Sequence, residues 1–341
     1  MPMPPGIFFS DINTRRSINT FCKMPRKSNL TFWIGVTIIL LCESLLFTDV
    51  HLSHRGPIHT NDAFFSLPSP TGPLAKSARW MAINMTAVVW TGLLFLLDGI
   101  LVQMPRGSPP RKRPHHFAML YIASIFIWCV FDWINFWIFA PHHAWRYIGI
   151  PEQFKDRLWG YILAFGAVVP GMLMIGQIYL NLGWFNWART TPRRMPPWIK
   201  FAVFTIGIGM LAWPIITRDP VTNYTLWTSL VFLLDPINLI LGRPSVLRDF
   251  NDGWYARALA ACAGGLTCGF LWEFWNYWAL AKWVYDLPFL GATQHYKYFE
   301  MPVVGLLGFI PFGLECWVMW QMMRIPFDGL IEPLPDDKSL L

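Results

Sequence analysis

Charged side chains make up only 14% of this 341-residue chain, against roughly 25% in soluble domains. That scarcity excludes a water-soluble globule, and it also excludes a disordered chain, which combines low hydrophobicity with high charge. Cysteine is sparse and unpatterned. Cys42, Cys129, Cys262, Cys268 and Cys316 lie in apolar runs and Cys22 in the amino-terminal arm, with no CxxC spacing. They read as small core residues rather than as a disulfide framework or metal ligands. There is no Walker loop, dinucleotide glycine fingerprint, HExxH or nucleophile elbow, so no cofactor is expected. The net charge of +7 is scattered in short clusters. No basic face follows a phosphate backbone, so nucleic acid is not an expected partner.

What the chain has in abundance is apolar and aromatic surface: 54% hydrophobic residues, 20 Trp, 27 Phe and a mean hydropathy of +0.38. An apolar run of about 20 residues crosses the hydrocarbon core as a helix. Eight such runs are readable, at 32–50, 80–103, 117–140, 159–181, 198–217, 224–241, 256–281 and 302–323. The expected fold is therefore an all-α, polytopic membrane protein with eight transmembrane helices in the lipid bilayer. The first run lacks an A-x-A-like cleavage site just after it and reads as a retained span. Assigned to alternate sides, Lys and Arg number 18 on the amino-terminal side and 9 on the other. By the positive-inside rule both termini are expected in the cytoplasm.

The chain also repeats itself. Trp90–Ile100 returns as Trp227–Ile237 with eight of eleven positions identical. Asp132-Trp133-Ile134-Asn135-Phe136-Trp137 returns as Glu273-Phe274-Trp275-Asn276-Tyr277-Trp278. A W-x-Y pair follows each, Trp145/Tyr147 and Trp283/Tyr285, and the last spans carry Gly166/Gly171 and Gly308/Gly313. The unit is four helices, so the halves share one orientation, as in parallel-repeat transporters. The expected organisation is a cytoplasmic arm (1–29), a first repeat (30–187), a linker (188–197), a second repeat (198–325) and a cytoplasmic tail (326–341).

Acids at membrane depth are costly and mark candidate sites. They are Glu43, Asp98, Asp132, Asp235, Glu273 and Glu315, with Glu300 at the mouth of the last span. Asp98 and Asp235 read as caps or ion-pair partners. Asp132 and Glu273 each share a helix face with an Asn three residues on, either as a helix clamp or as an acid shown to a ligand. Glu300 and Glu315 have Leu158 and Leu173 at the matching places of the first half, so any chemistry is expected in the second half. Asp49, His51 and His54 come closest to a metal set, but their loop is Pro- and Ser-rich and no metal is expected.

The last three helices of each half resemble the three-helix domain of the integral-membrane lycopene cyclases, the heterodimeric bacterial type and its fused relatives. The likeness rests on Leu97-Asp98 and Leu234-Asp235, on Trp272-Glu273, and on Glu300-Met301-Pro302. Val303-Val304-Gly305 stands where that family has a paired acidic motif, so only Asp235, Glu273 and Glu300 are carried over as catalytic residues. The resemblance implies redox-neutral cyclisation or isomerisation of an isoprenoid or similar membrane lipid. One buried carboxyl would protonate a double bond, aromatic rings would hold the carbocation, and a base would remove a proton. Trp272, Trp275, Asn276, Trp278, Trp283, Tyr285, Phe299 and Glu315 are the expected substrate contacts. Two other readings stand beside it: a transporter or channel, which needs a continuous polar path, and a non-catalytic structural protein, which needs Trp only in interfacial belts.

Overall fold

The computed structural model describes residues 29–341 apart from His142, Asp219 and residues 335–337. Arm residues 1–28, including Cys22, lie outside the described residues, as does His142.

The chain is mostly helical with little sheet. Its principal helices are α1 (Leu30–Leu52), α2 (Gly72–Leu101), α3 (Pro114–Trp133), α4 (Phe154–Leu182), α5 (Pro197–Thr217), α6 (Leu226–Ile240), α7 (Ala256–Tyr277) and α8 (Phe309–Met323). Seven segments are long and apolar enough to cross a bilayer, α3 counted to Ile138 and α8 from Val303. The protein is a multi-pass helical membrane protein. The segment expected at 224–241 departs from this length: α6 has only 15 residues and follows a 3-10 turn, Pro220–Thr225.

Two other expectations are corrected. The run 117–140 is not α-helical throughout, because Ile134–Ile138 forms a π-helix, and the run 256–281 leaves the helix at Tyr277. The fold is also not purely helical. Trp145–Ile148 (β1) and Lys282–Tyr285 (β2) pair antiparallel, with Trp145 opposite Tyr285, Arg146 opposite Val284 and Tyr147 opposite Trp283. Lys297–Tyr298 and Met301–Pro302 form a second, two-residue ribbon.

Glycines set the closest helix contacts, as expected where dispersion rather than the hydrophobic effect joins helices in lipid. A Cβ on Gly35 of α1 would overlap the backbone of Leu96 in α2, and one on Gly207 of α5 would overlap the backbone of Leu233 in α6. Leu96 and Leu233 are matching positions of the repeated Trp-Thr motif. Gly264 and Gly265 lock α7 between two neighbours, the first against Met172 and Gly176 of α4, the second against Phe309 and Gly313 of α8. At the corresponding level of α3 stands Ser124, whose hydroxyl is inserted into the ladder of α4. It accepts from the Val169 N–H at 3.0 Å and donates to the Phe165 carbonyl. This is one turn before Pro170, where the helix cannot complete its own bonds.

At the end of the bundle opposite the ribbons, Asp98 and Asp235 organise the connections that follow α2 and α6. Asp235 accepts from the N–H groups of Val246 and Leu247, at 2.7 and 2.8 Å, and so caps the short helix Val246–Asp252. In the matching place of the first half stand Pro109 and Pro110, which have no N–H to give. Asp98 accepts instead from the Ser108 hydroxyl and the Arg111 guanidinium. The tail also packs here: the Ser339 hydroxyl and Leu340 N–H both donate to Gln177 Oε1, and Leu340 and Leu341 are buried.

Candidate functional site

The site is built on the β1–β2 ribbon, and two asparagines hold that ribbon. Asn135 accepts from the Ala144 N–H at 2.8 Å and donates to the Trp145 carbonyl at 2.9 Å. Asn276 accepts from the Trp283 N–H at 3.0 Å and donates to the Trp283 carbonyl at 2.8 Å. Both amides are fully buried. The Asn three residues after each acid therefore clamps backbone and does not pair with the carboxyl. With the strands fixed, every second side chain points to the same face, and W-x-Y sends an indole and a phenol together towards α3 and α7.

The phenols meet the acids. Tyr147 donates to Asp132 at 2.9 Å, and Tyr285 donates to Glu273 Oε1 at 2.8 Å. Burial pushes both phenols well above the usual tyrosine range, so they stay protonated. Asp132 accepts a further bond from Trp145 Nε1 at 3.0 Å. Glu273 is 0% exposed, and its Oε2 finds no hydrogen-bond partner among the described residues. A buried carboxyl oxygen without a partner is costly in an apolar surround.

Beside this pair lies a cavity of about 390 Å³. Trp128, Trp145, Trp227, Trp272, Trp283, Tyr285, Phe309 and Phe312 make its walls, and Val304, Gly305, Gly308 and Pro311 its side at the start of α8. A short helix, Val303–Leu306, precedes α8 here, and Val303, Val304 and Leu307 are exposed on its outside, which makes a lipid-side approach short. The rings are tightly packed: Trp272 lies 5.0 Å from both Trp128 and Trp283, and 5.5 Å from Trp90.

Of the expected site residues, the structure brings Trp272, Trp283 and Tyr285 together on the wall of this cavity, with Glu273 behind Tyr285 and Asn276 holding the strand. Others lie elsewhere. Asp235 is the helix cap at the far end of the bundle. Glu300 is buried in an ion pair with Lys282 and also meets His59 at 3.0 Å. Trp275 packs on Trp90 at 5.7 Å. Trp278 offers its carbonyl to Arg55 at 2.8 Å, while Phe299 packs against Phe274, Tyr277 and Tyr298. Glu315 accepts from the Leu230 N–H at 3.1 Å, tying α8 to α6. Asp49 is held by Arg55 at 2.8 Å and Arg79 at 2.7 Å.

Sequence reasoning centred the site on α7 and the chain that follows it, and so gave too little weight to Trp128 and Trp145 of the first half and Trp227 of α6, which also line the cavity. It also missed Lys282, 1% exposed, although a lone lysine in Ala279-Leu280-Ala281-Lys282-Trp283-Val284-Tyr285 demands a partner. Burial pulls its ammonium below the ordinary lysine value, against the opposing field of Glu300. No protein-family model, no curated protein and no solved structure matches this chain.

Proposed function

We propose that the chain is an enzyme that binds one end of an isoprenoid or similar lipid in the aromatic cavity and isomerises or cyclises it without redox chemistry. The observation that carries this reading is the Tyr285–Glu273 pair: a phenol on the cavity wall, backed by a buried carboxyl with one oxygen unpartnered among the described residues. Such a pair is suited to deliver a proton to a double bond and to take one back. The surrounding indoles are suited to a carbocation, at about 2 kcal/mol or more per desolvated cation–π contact. At about 390 Å³ the cavity is at the small end of ligand pockets, which run from about 300 to 1,000 Å³, and suits one end of a long chain. The resemblance to the integral-membrane lycopene cyclases points to the same chemistry. The ion pair of Glu300 with Lys282 makes it a scaffold for β2 in this reading, and Asp235 a helix cap, leaving Glu273 as the acid.

The scaffold in this reading has eight crossings arranged as two parallel four-helix repeats, with both termini cytoplasmic. The 15 residues of α6 cover about 22 Å, and the preceding six-residue 3-10 turn adds about 12 Å, enough for an eighth crossing. The matched Gly35–Leu96 and Gly207–Leu233 contacts, the two asparagine clamps and the ribbon register all support the duplication. The register sets Arg146 against its own counterpart Val284, as an axis through the ribbon centre requires.

The test is mass spectrometry of lipid and pigment extracts from cells with and without the intact gene. The expected result is a substrate that accumulates when the gene is lost, and the same accumulation with Glu273→Gln at unchanged protein level. Identical lipid profiles with and without the gene would overturn the enzymatic reading.

A further inference from the structure

A second hollow, of about 110 Å³, lies on the other side of the Trp128–Trp272–Trp283 partition, between α2 and the first turns of α4. Its floor is aromatic, with Trp90, Phe165 and Tyr161, but its rim is polar. Two polar atoms there stand out. Arg157 Nε is buried without a hydrogen-bond partner among the described residues, while the guanidinium lies over the Tyr161 ring at 5.8 Å. Thr86 Oγ1 is likewise buried and has no partner among the described residues.

The threonine is unusual for a definable reason. A hydroxyl on a membrane helix normally bonds back to the carbonyl four residues earlier, as Thr91 does to Ala87 and Thr267 to Ala263, each at 2.8 Å. The corresponding carbonyl for Thr86, that of Ala82, is taken by the Leu280 N–H at 2.8 Å. The hydroxyl is left over at the hollow. Leaving two buried donors unsatisfied is expensive, and both belong to residues that line this one hollow.

The other charges at the rim are Lys282, which Glu300 already neutralises, and Asp156, which is exposed on the first turn of α4. The available charge is therefore the positive one of Arg157. The stacked rings of Trp80 and Trp159, 6.0 Å apart and both exposed, flank the hollow on its lipid side. The enclosed space is smaller than a pocket that takes a whole small molecule, so it admits one end of a slender one.

We propose that this hollow is a binding site for the oxyanion head of a single-chain membrane lipid, separate from the aromatic cavity. Arg157 and Thr86 donate to the head, and the chain lies along the aromatic wall and past Trp80 and Trp159. This site does not depend on the chemistry proposed for Glu273.

The test uses the full-length protein in detergent, with lipid retention read by native mass spectrometry. The probes are oleoyl lysophosphatidate and monooleoylglycerol, which share a chain and differ in the phosphate. Lysophosphatidate is expected to bind roughly tenfold more tightly, the gain typical of charge-assisted hydrogen bonds. Arg157→Gln and Thr86→Val should each erase most of that preference. Thr86→Val keeps the side-chain shape and decides the matter if Arg157→Gln does not fold. Equal retention of the two probes, or an undiminished preference in Thr86→Val, would overturn the proposal. Displacement of the lipid by millimolar inorganic phosphate would show a free-anion site and also overturn it; retention in phosphate supports the lipid.

Discussion

Asp132 and Glu273 stand at matching places in the two halves, each under a tyrosine from the ribbon, yet their surroundings differ. Asp132 has two donors, Tyr147 and Trp145, and the Tyr147 hydroxyl reaches both of its oxygens. Glu273 is one methylene longer, accepts from Tyr285, and keeps an oxygen unpartnered among the described residues. Both phenols border a hollow: Tyr147 the smaller one beside α4, and Tyr285 the larger aromatic cavity. A further difference appears about two turns away, where Ser124 bonds into α4 while Gly265 presses directly on α8. The lesson is that the two copies of the motif keep the same ribbon geometry while differing in how fully the carboxyl is bonded.

The contrast can be broken most forcefully at the acids. Glu273→Gln should lower turnover by about 10²- to 10⁴-fold, the usual worth of a general acid or base. Asp132→Asn, still able to accept from Tyr147 and Trp145, should leave turnover within a few-fold. Product formed per amount of purified protein checks both, and equal losses would erase the distinction between the halves. Tyr285→Phe and Tyr147→Phe should follow the same order.

Smaller effects concern the scaffold. Gly265→Ala drives a methyl into the Phe309 carbonyl, an overpacking that typically costs about 1–3 kcal/mol or more. Its counterpart Ser124→Ala loses hydrogen bonds worth about 1 kcal/mol each. Thermal unfolding in detergent should therefore show the larger drop for Gly265→Ala. Gly35→Ala and Gly207→Ala sharpen the comparison from the opposite side, since both place a methyl on the backbone of the next helix. Their losses in melting temperature should be similar; a large difference would mean that the two helix pairs are not equivalent. The smallest effect is expected at the caps. Asp235→Asn weakens a cap over two N–H groups and should cost about 1 kcal/mol, read as faster hydrogen exchange in Val246–Asp252.

The helices and the site were unequally legible. Long apolar runs fix the spans because a backbone in lipid must satisfy itself, and the Trp90 and Trp227 motifs disclose the matched helix pairs. The ribbon was not foreseen. Trp145-x-Tyr147 and Trp283-x-Tyr285 carry the alternation of a strand, but four residues are too few to separate strand from turn by pattern alone. Without the ribbon, Asn135 and Asn276 looked like partners of the acids, because helical spacing says nothing about a returning backbone. The ion pair of Glu300 was hidden for a similar reason: its partner Lys282 is close only after the chain has folded back. The cavity was half legible. Trp272 and Trp283 are legible from their place beside Glu273, whereas Trp128, Trp145 and Trp227 reach the cavity by tertiary packing that no local spacing encodes.

The antiparallel pairing of Trp145–Ile148 with Lys282–Tyr285 carries one more implication. Among the described residues each strand is the other's one neighbour in its sheet, so a four-helix unit standing by itself would display a raw edge, the kind of surface on which chains join. Such a unit would satisfy that edge most readily with a twin of itself. Expressed as two separate polypeptides divided near residue 192, the halves should therefore find each other and co-purify, each finishing a seam that neither can close by itself.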